Sequence, residues 1–244
     1  MSVSPRRTAV VIGAGPGLGM SVAHRVGREG YTVALVSRSD VRHAGYVESL
    51  AEAGIEAEAH VADVRDRELI SATLDAIAER HGGIDLLYYG PGALDPDAHP
   101  TPITRIDSDD VRTAMSWVYP AVDVVAKVLP GMIERGEGAL LFAGGRLSAV
   151  VPMPPLGNLA LSSAALRNYA LTLHAGLADQ GVYAGTLTIG GLIERGDIHR
   201  FVKSNPERFG DAGVSSLDPD EIADAAWRLY ADRDRPEVVF SAFG

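Results

Sequence analysis

Thr8-Ala9-Val10-Val11-Ile12-Gly13-Ala14-Gly15-Pro16-Gly17-Leu18-Gly19 decides the fold of this chain. Thr8 to Ile12 is an apolar run of strand type, three spaced glycines follow it, and apolar residues at helical spacing (Leu18, Val22, Val26) begin at once. The stretch therefore reads as strand, tight turn, helix. Gly13 permits a sharp exit from the strand, Gly17 leaves room for a phosphate to approach the backbone, and Gly19 lets the helix pack close to the sheet. The free N–H groups and the positive end of that helix then face an anion, which places Gly13, Gly15, Gly17, Leu18 and Gly19 against a pyrophosphate. A glycine-rich turn can also be purely structural; its position after a strand and ahead of a further βα unit favours the ligand.

Working outward, Ala62-Asp63-Val64 follows a third strand, Ile84 to Gly92 reads as a buried strand breaking into a turn, and Gly190-Gly191 closes a sixth strand. With the spacing Gly-x-x-x-Gly-x-Gly at 13, 17 and 19, these motifs resemble the short-chain dehydrogenase/reductase family along nearly the whole chain. The repeated βα alternation by itself predicts a parallel sheet with helices on both faces. The resemblance implies an α/β fold: a Rossmann-like doubly wound parallel sheet of about seven strands in a three-layer α/β/α sandwich. It implies one NAD(P)-binding domain over 1–244, with a substrate lid at about 192–217.

The cofactor preference is read from the end of the second strand, where the apolar run Tyr31 to Val36 stops at Ser37-Arg38. In dinucleotide folds an acidic residue there favours NAD, and an arginine accommodates a 2′-phosphate through its fork of N–H donors. NADP is thus favoured over NAD, with Arg42 in reach to assist; the alternative is that Arg38 is merely solvated. By the resemblance, Asp63 and Val64 face the adenine, although Asp63 is equally placed to cap the helix that follows. Gly90, Gly92 and Gly191 complete the set of backbone positions that the resemblance puts beside the cofactor.

The chemistry departs from the family pattern. Its usual Asn-Asn-Ala-Gly at 89–92 is replaced by Tyr-Gly-Pro-Gly, its helix asparagine by Trp117, its serine by Gly145, and its tyrosine and lysine by Leu159 and Ser163. Neither Lys127 nor Lys203, the two lysines of the chain, has a tyrosine four residues earlier. Candidate proton sources near the site are Tyr88, Tyr89, Arg146 and Ser148. Three functions stay open: an atypical oxidoreductase without the Tyr–Lys proton donor, a non-redox isomerase, cyclase or dehydratase, and a cofactor-binding pseudoenzyme.

Composition narrows the partners. The 244 residues carry a net charge of −10, which argues against nucleic acid or an anionic membrane and for a small-molecule substrate. The absence of cysteine excludes thiolate chemistry, and the seven histidines show no metal-ligand spacing, so no metal is expected. No window is apolar enough for a membrane span, and Met1 to Arg7 is too short and polar for a signal peptide, so a cytoplasmic location is expected. Two helices, 109–134 with a kink at Pro120 and 159–178, carry apolar residues around much of their circumference. They imply a homodimer or homotetramer.

Overall fold

The computed structural model describes residues 6–91, 100–146, 150–209 and 216–242. The quoted stretch forms β1 (Thr8–Ile12) and α1 (Leu18–Arg28), joined by the glycine turn. There follow β2 (Thr32–Ser37), α2 (His43–Glu52), β3 (Ala57–Val61), α3 (Arg67–His81) and β4 (Leu86–Tyr89). After them come α4 (Ser108–Met115), α5 (Tyr119–Arg135), β5 (Gly138–Arg146), α6 (Gly157–Gly176) and β6 (Val182–Gly190). The chain continues through β7 (Leu192–Ile193), α7 (Asp197–Lys203), α8 (Pro206–Phe209), β8 (Ser216–Leu217), α9 (Pro219–Asp232) and β9 (Glu237–Ser241).

Seven strands form one parallel sheet in the order β3-β2-β1-β4-β5-β6-β9. Every residue of β1 is buried, as a strand covered on both faces requires, and successive residues serve opposite layers. Val10 and Ile12 pack with Leu74 and Ile77 of α3 and Val124 of α5. Ala9 and Val11 pack with Val22 and Val26 of α1 and Leu229 of α9. The sheet grows from β1 through β2 to β3 and then resumes on β1's other side with β4. The crevice beyond the carboxyl ends of these strands is where open α/β sheets take their ligands.

One expected helix is two. The chain breaks between Met115 and Tyr119, and Pro120 sits in the first turn of α5, where its missing N–H costs nothing, so it starts a helix instead of kinking one. Asp107 and Asp110 close a reciprocal capping box on α4. The proline inside a helix is Pro130, on the exposed side of α5, where water can serve the carbonyl it leaves free. Beyond β6, β7 pairs with β8 in a two-stranded sheet that the sequence pattern did not predict. Among the described residues no helix is long and apolar enough to cross a membrane.

Candidate functional site

The carboxyl ends of β1, β2 and β4 are drawn together by backbone bonds. The N–H groups of Gly13 and Ala14 donate to the Val36 carbonyl at 2.9 and 3.2 Å, and that of Gly90 donates to Ile12 at 3.0 Å. Gly13 has φ +92°, and a Cβ there would lie 2.4 Å from the Gly90 carbonyl oxygen. A Cβ on Gly19 would lie 2.4 Å from the Gly13 oxygen, so this glycine is what lets α1 approach the strand end. Gly15 is different in kind: its Cβ would meet only the Gly13 oxygen, at 3.8 Å, among the described residues.

This turn floors a cleft of about 330 Å³. Its walls include Gly13, Ala14 and Gly15 from the turn, Ser37 and Arg38 from the end of β2, Arg42 just before α2 and Tyr46 within it, and Ala62 and Val64 after β3. Pro91, Trp117 and Asp197 close it. The backbone N–H groups of Leu18 and Gly19, at the start of α1, have no acceptor among the described residues. An open glycine face, two free helix-start donors and an adjacent arginine make a cradle of the shape and charge that a phosphorylated nucleoside fits.

The side chains named from sequence divide into two groups. Arg38 is exposed on the cleft and makes no hydrogen bond or ion pair with the described residues. Val64 is buried and lines the wall; the Leu18 side chain is buried in the core and does not line the cleft. Ser37 spends its hydroxyl on the Ser39 carbonyl (2.9 Å) and His43 Nε2 (2.7 Å), and burial holds the imidazole of His43 below its ordinary pKa. Asp63 does not cap α3. Arg65 grips its carboxylate through Nε (3.2 Å) and a terminal nitrogen (2.9 Å), which holds the carboxyl below its usual range. Asp66 supplies the cap, accepting from the Leu69 N–H at 3.0 Å. The Arg65 guanidinium in turn lies 4.8 Å from the ring centre of Trp117, so the indole is a wall of the cleft braced by a cation.

Two proton-source candidates are corrected by their burial. The Tyr88 ring is packed between the sheet and α1, and the space it takes is why residue 90 is a glycine: a Cβ on Gly90 would lie 2.4 Å from the Tyr88 hydroxyl. Tyr89 points to the other layer and donates to the Trp117 carbonyl at 3.1 Å. Burial pushes both phenols up, and neither lines the cleft. Alternation along a buried strand sends each into a core, a consequence already implicit in the unbroken apolar run. Gly191 is also a packing position, with a Cβ there 2.9 Å from Leu217 and Ala242. Gly92 and Ser148 lie outside the described residues, and of Arg146 only the backbone, in β5, is described.

Leu159 and Ser163, one turn apart on α6, are both buried, and the Ser162 hydroxyl between them donates to the Leu159 carbonyl at 3.2 Å. Tyr169, further along the helix, packs its ring edge-on against Phe142. What sequence reading missed is Asp197. It reaches the cleft from the start of α7 and accepts two bonds from Arg42, at 2.7 and 2.9 Å. Among the described residues no cluster of His, Asp and Glu is arranged to hold a metal.

Comparison with known proteins places this geometry. Residues 7–194 match the family described as short chain dehydrogenase. The chain is 31% identical over 157 residues to a Streptomyces coelicolor protein named "Putative ketoacyl reductase", a match covering 63% of this chain and 60% of that protein. It is 27% identical to a mouse protein named inactive hydroxysteroid dehydrogenase-like protein 1, over 86% of this chain and 66% of that one. Among solved structures, L-sorbose reductase from Gluconobacter frateurii, complexed with NADPH and L-sorbose, superposes with a TM-score of 0.83 at 21% identity, over 99% of this chain and 97% of the other.

Proposed function

Since the chain belongs to the short-chain dehydrogenase family, whose members act on small molecules, we propose that it binds NADP(H) in the cleft beside the glycine turn and acts on a small organic molecule as an atypical oxidoreductase. The observation that carries the cofactor assignment is Arg38: a cation exposed on the cleft wall at the carboxyl end of β2, near enough for Asp63 to feel its charge but making no hydrogen bond or ion pair with the described residues. The L-sorbose reductase with its NADPH and another structurally similar member of the family in complex with NADP support the same choice. On this proposal Gly13, Gly15, Gly17, Gly19 and the Leu18 N–H hold the pyrophosphate, Val64 and Trp117 flank the adenine, and Arg38 holds the 2′-phosphate.

The nicotinamide ring supplies or accepts a hydride when bound; this chain's own contribution is to hold and orient. The family's proton route needs a tyrosine, a lysine that lowers its pKa and a serine that orients the substrate. At the corresponding positions, by resemblance, stand Leu159, Ser163 and Gly145, none of which donates a proton or a positive charge. With Tyr88 and Tyr89 buried, proton delivery falls to water, to the substrate itself, or to Arg146 or Ser148. The burial of Leu159 and Ser163 favours one second reading, a cofactor-binding protein that has lost the reaction, and the name of the mouse relative is consistent with it.

The test is NADPH oxidation, followed by absorbance with simple ketones and quinones, for the wild type beside the triple variant Gly145→Ser, Leu159→Tyr, Ser163→Lys. General acid catalysis of this kind is worth roughly 10²–10⁴ in rate. The wild type should show none of the Tyr–Lys chemistry and the triple variant should gain it. Ordinary turnover by the wild type would mean that another group supplies the proton. The protein is further proposed to be cytoplasmic and homo-oligomeric, with residues 192–217 covering the substrate mouth.

A further inference from the structure

The Arg42–Asp197 pair joins two parts of the chain that share no element. Arg42 precedes α2, Asp197 opens α7, and both line the same cleft wall as Arg38. The two bonds fill the end-on face of the guanidinium, one N–H from each terminal nitrogen, so an anion that takes that face of Arg42 must displace Asp197. The segment that carries Asp197 rests on the glycine turn: a Cβ on Gly17 would lie 3.1 Å from the Glu194 carbonyl oxygen and from the Gly196 nitrogen. The backbone of Glu194 to Gly196 therefore lies against the turn at Gly17.

Three details suit this contact to exchange. Asp197 has a second cation, Arg200, one turn on in α7, so its charge stays compensated if Arg42 leaves. The Tyr46 hydroxyl, shut off from solvent, lies beside the Arg42 guanidinium and interacts with it, so it stays next to that cation when Asp197 leaves. The segment is anchored separately, just before Gly196. Arg195, in the left-handed region at φ 63°, binds the Ser21 hydroxyl (3.1 Å) and the Asp220 carboxylate (2.8 Å).

We propose that Asp197 is an internal stand-in for the 2′-phosphate: a 2′-phosphorylated adenosine displaces it from Arg42, and α7 leaves the cleft when it does so. The proposal rests on the NADP(H) assignment and adds to it a specificity-determining residue and a coupling between cofactor and segment. Two anions compete for one guanidinium, so the coupling is reciprocal: docking of α7 weakens binding of the phosphate, and the phosphate undocks α7. A nucleotide without the 2′-phosphate has nothing to exchange and leaves α7 in place.

The experiment uses adenosine 2′,5′-bisphosphate and adenosine 5′-monophosphate, which probe the adenosine half of the site without any reaction. Hydrogen exchange of residues 197–203 is followed in the wild type with each nucleotide, and affinities are measured for wild type, Asp197→Asn and Arg42→Ala. The bisphosphate should raise exchange in 197–203 and the monophosphate should not. Asp197→Asn should bind the bisphosphate more tightly, by about 5–150-fold, the range of typical coupling energies, and the monophosphate equally well. Arg42→Ala should show high exchange in 197–203 without any ligand. Equal gains for both nucleotides in Asp197→Asn, or protection of 197–203 by the bisphosphate, would overturn the exchange. If the bisphosphate binds the wild type and leaves 197–203 unchanged, the NADP(H) assignment stands and only the exchange fails. If it binds none of the three proteins, both fail.

Discussion

Gly13→Ala and Gly15→Ala separate the glycine that builds the turn from the one that serves the ligand. At Gly13 the new methyl meets three obstacles: a φ of +92°, the Gly90 carbonyl oxygen at 2.4 Å and the Pro91 nitrogen at 2.8 Å. The obstacles are backbone, held by the Gly90-to-Ile12 bond, so no rotamer change relieves them and β1 and β4 must part. An L-residue in the left-handed region costs roughly 1–2 kcal/mol and overpacking typically about 1–3, so Gly13→Ala should lose on the order of 2–5 kcal/mol. At Gly15 the methyl enters the open cleft, and stability should stay within about 1 kcal/mol of wild type. There the loss falls on cofactor affinity, by roughly tenfold or more, the scale of a forfeited bond to a charged group. Urea unfolding and a cofactor titration on each variant read the two losses. A Gly13→Ala protein as stable as wild type, or a Gly15→Ala protein as unstable as Gly13→Ala, would refute the reasoning.

Two further outcomes follow from packing and charge. Glu237 accepts two bonds from Arg167 (2.7 and 2.5 Å) and one from the Thr188 hydroxyl (2.6 Å), which together hold its carboxyl below the ordinary value of 4.5. A depressed carboxyl contributes stability above its unfolded value and loses it as pH falls through the folded one. Glu237→Gln should therefore cost about 1–3 kcal/mol at pH 7 and flatten the fall of melting temperature below about pH 4.5; an unchanged acid limb would contradict this. Tyr119 and Val122 on α5 and Leu161 on α6 are exposed apolar side chains on the two helices expected to pair. Light scattering should give a dimer or tetramer at micromolar concentration, and a monomer would exclude pairing.

Most of the fold was legible because local pattern and tertiary role coincide in it. The run Thr8 to Ile12 is apolar throughout because both its faces are covered, and the glycines mark contacts that any side chain would block. Errors arose where one residue had two local uses and a neighbour settled the choice. Asp63 could cap a helix or face the cleft; Arg65, two residues on, takes its carboxylate, and Asp66 takes the cap. Pro120 could kink a helix or begin one, and the break after Met115 decides for the second. The tyrosines of β4 read as chemistry near a site, yet strand alternation turns both rings into the cores. Asp197 had no local signal, since its partner Arg42 lies 155 residues away in sequence. Only the folded cleft brings that pair together.

On the proposed assignment, Arg38 makes this cleft an NADP(H) site. Titrating NADPH and NADH into the wild type and into Arg38→Ala tests it most directly. A charge-assisted bond to the 2′-phosphate is worth roughly 1.5–3 kcal/mol, so the wild type should prefer NADPH by about tenfold or more. Arg38→Ala should lose most of that preference while its affinity for NADH barely changes. A wild type that binds the two equally, or a variant that keeps the full preference, would contradict the assignment.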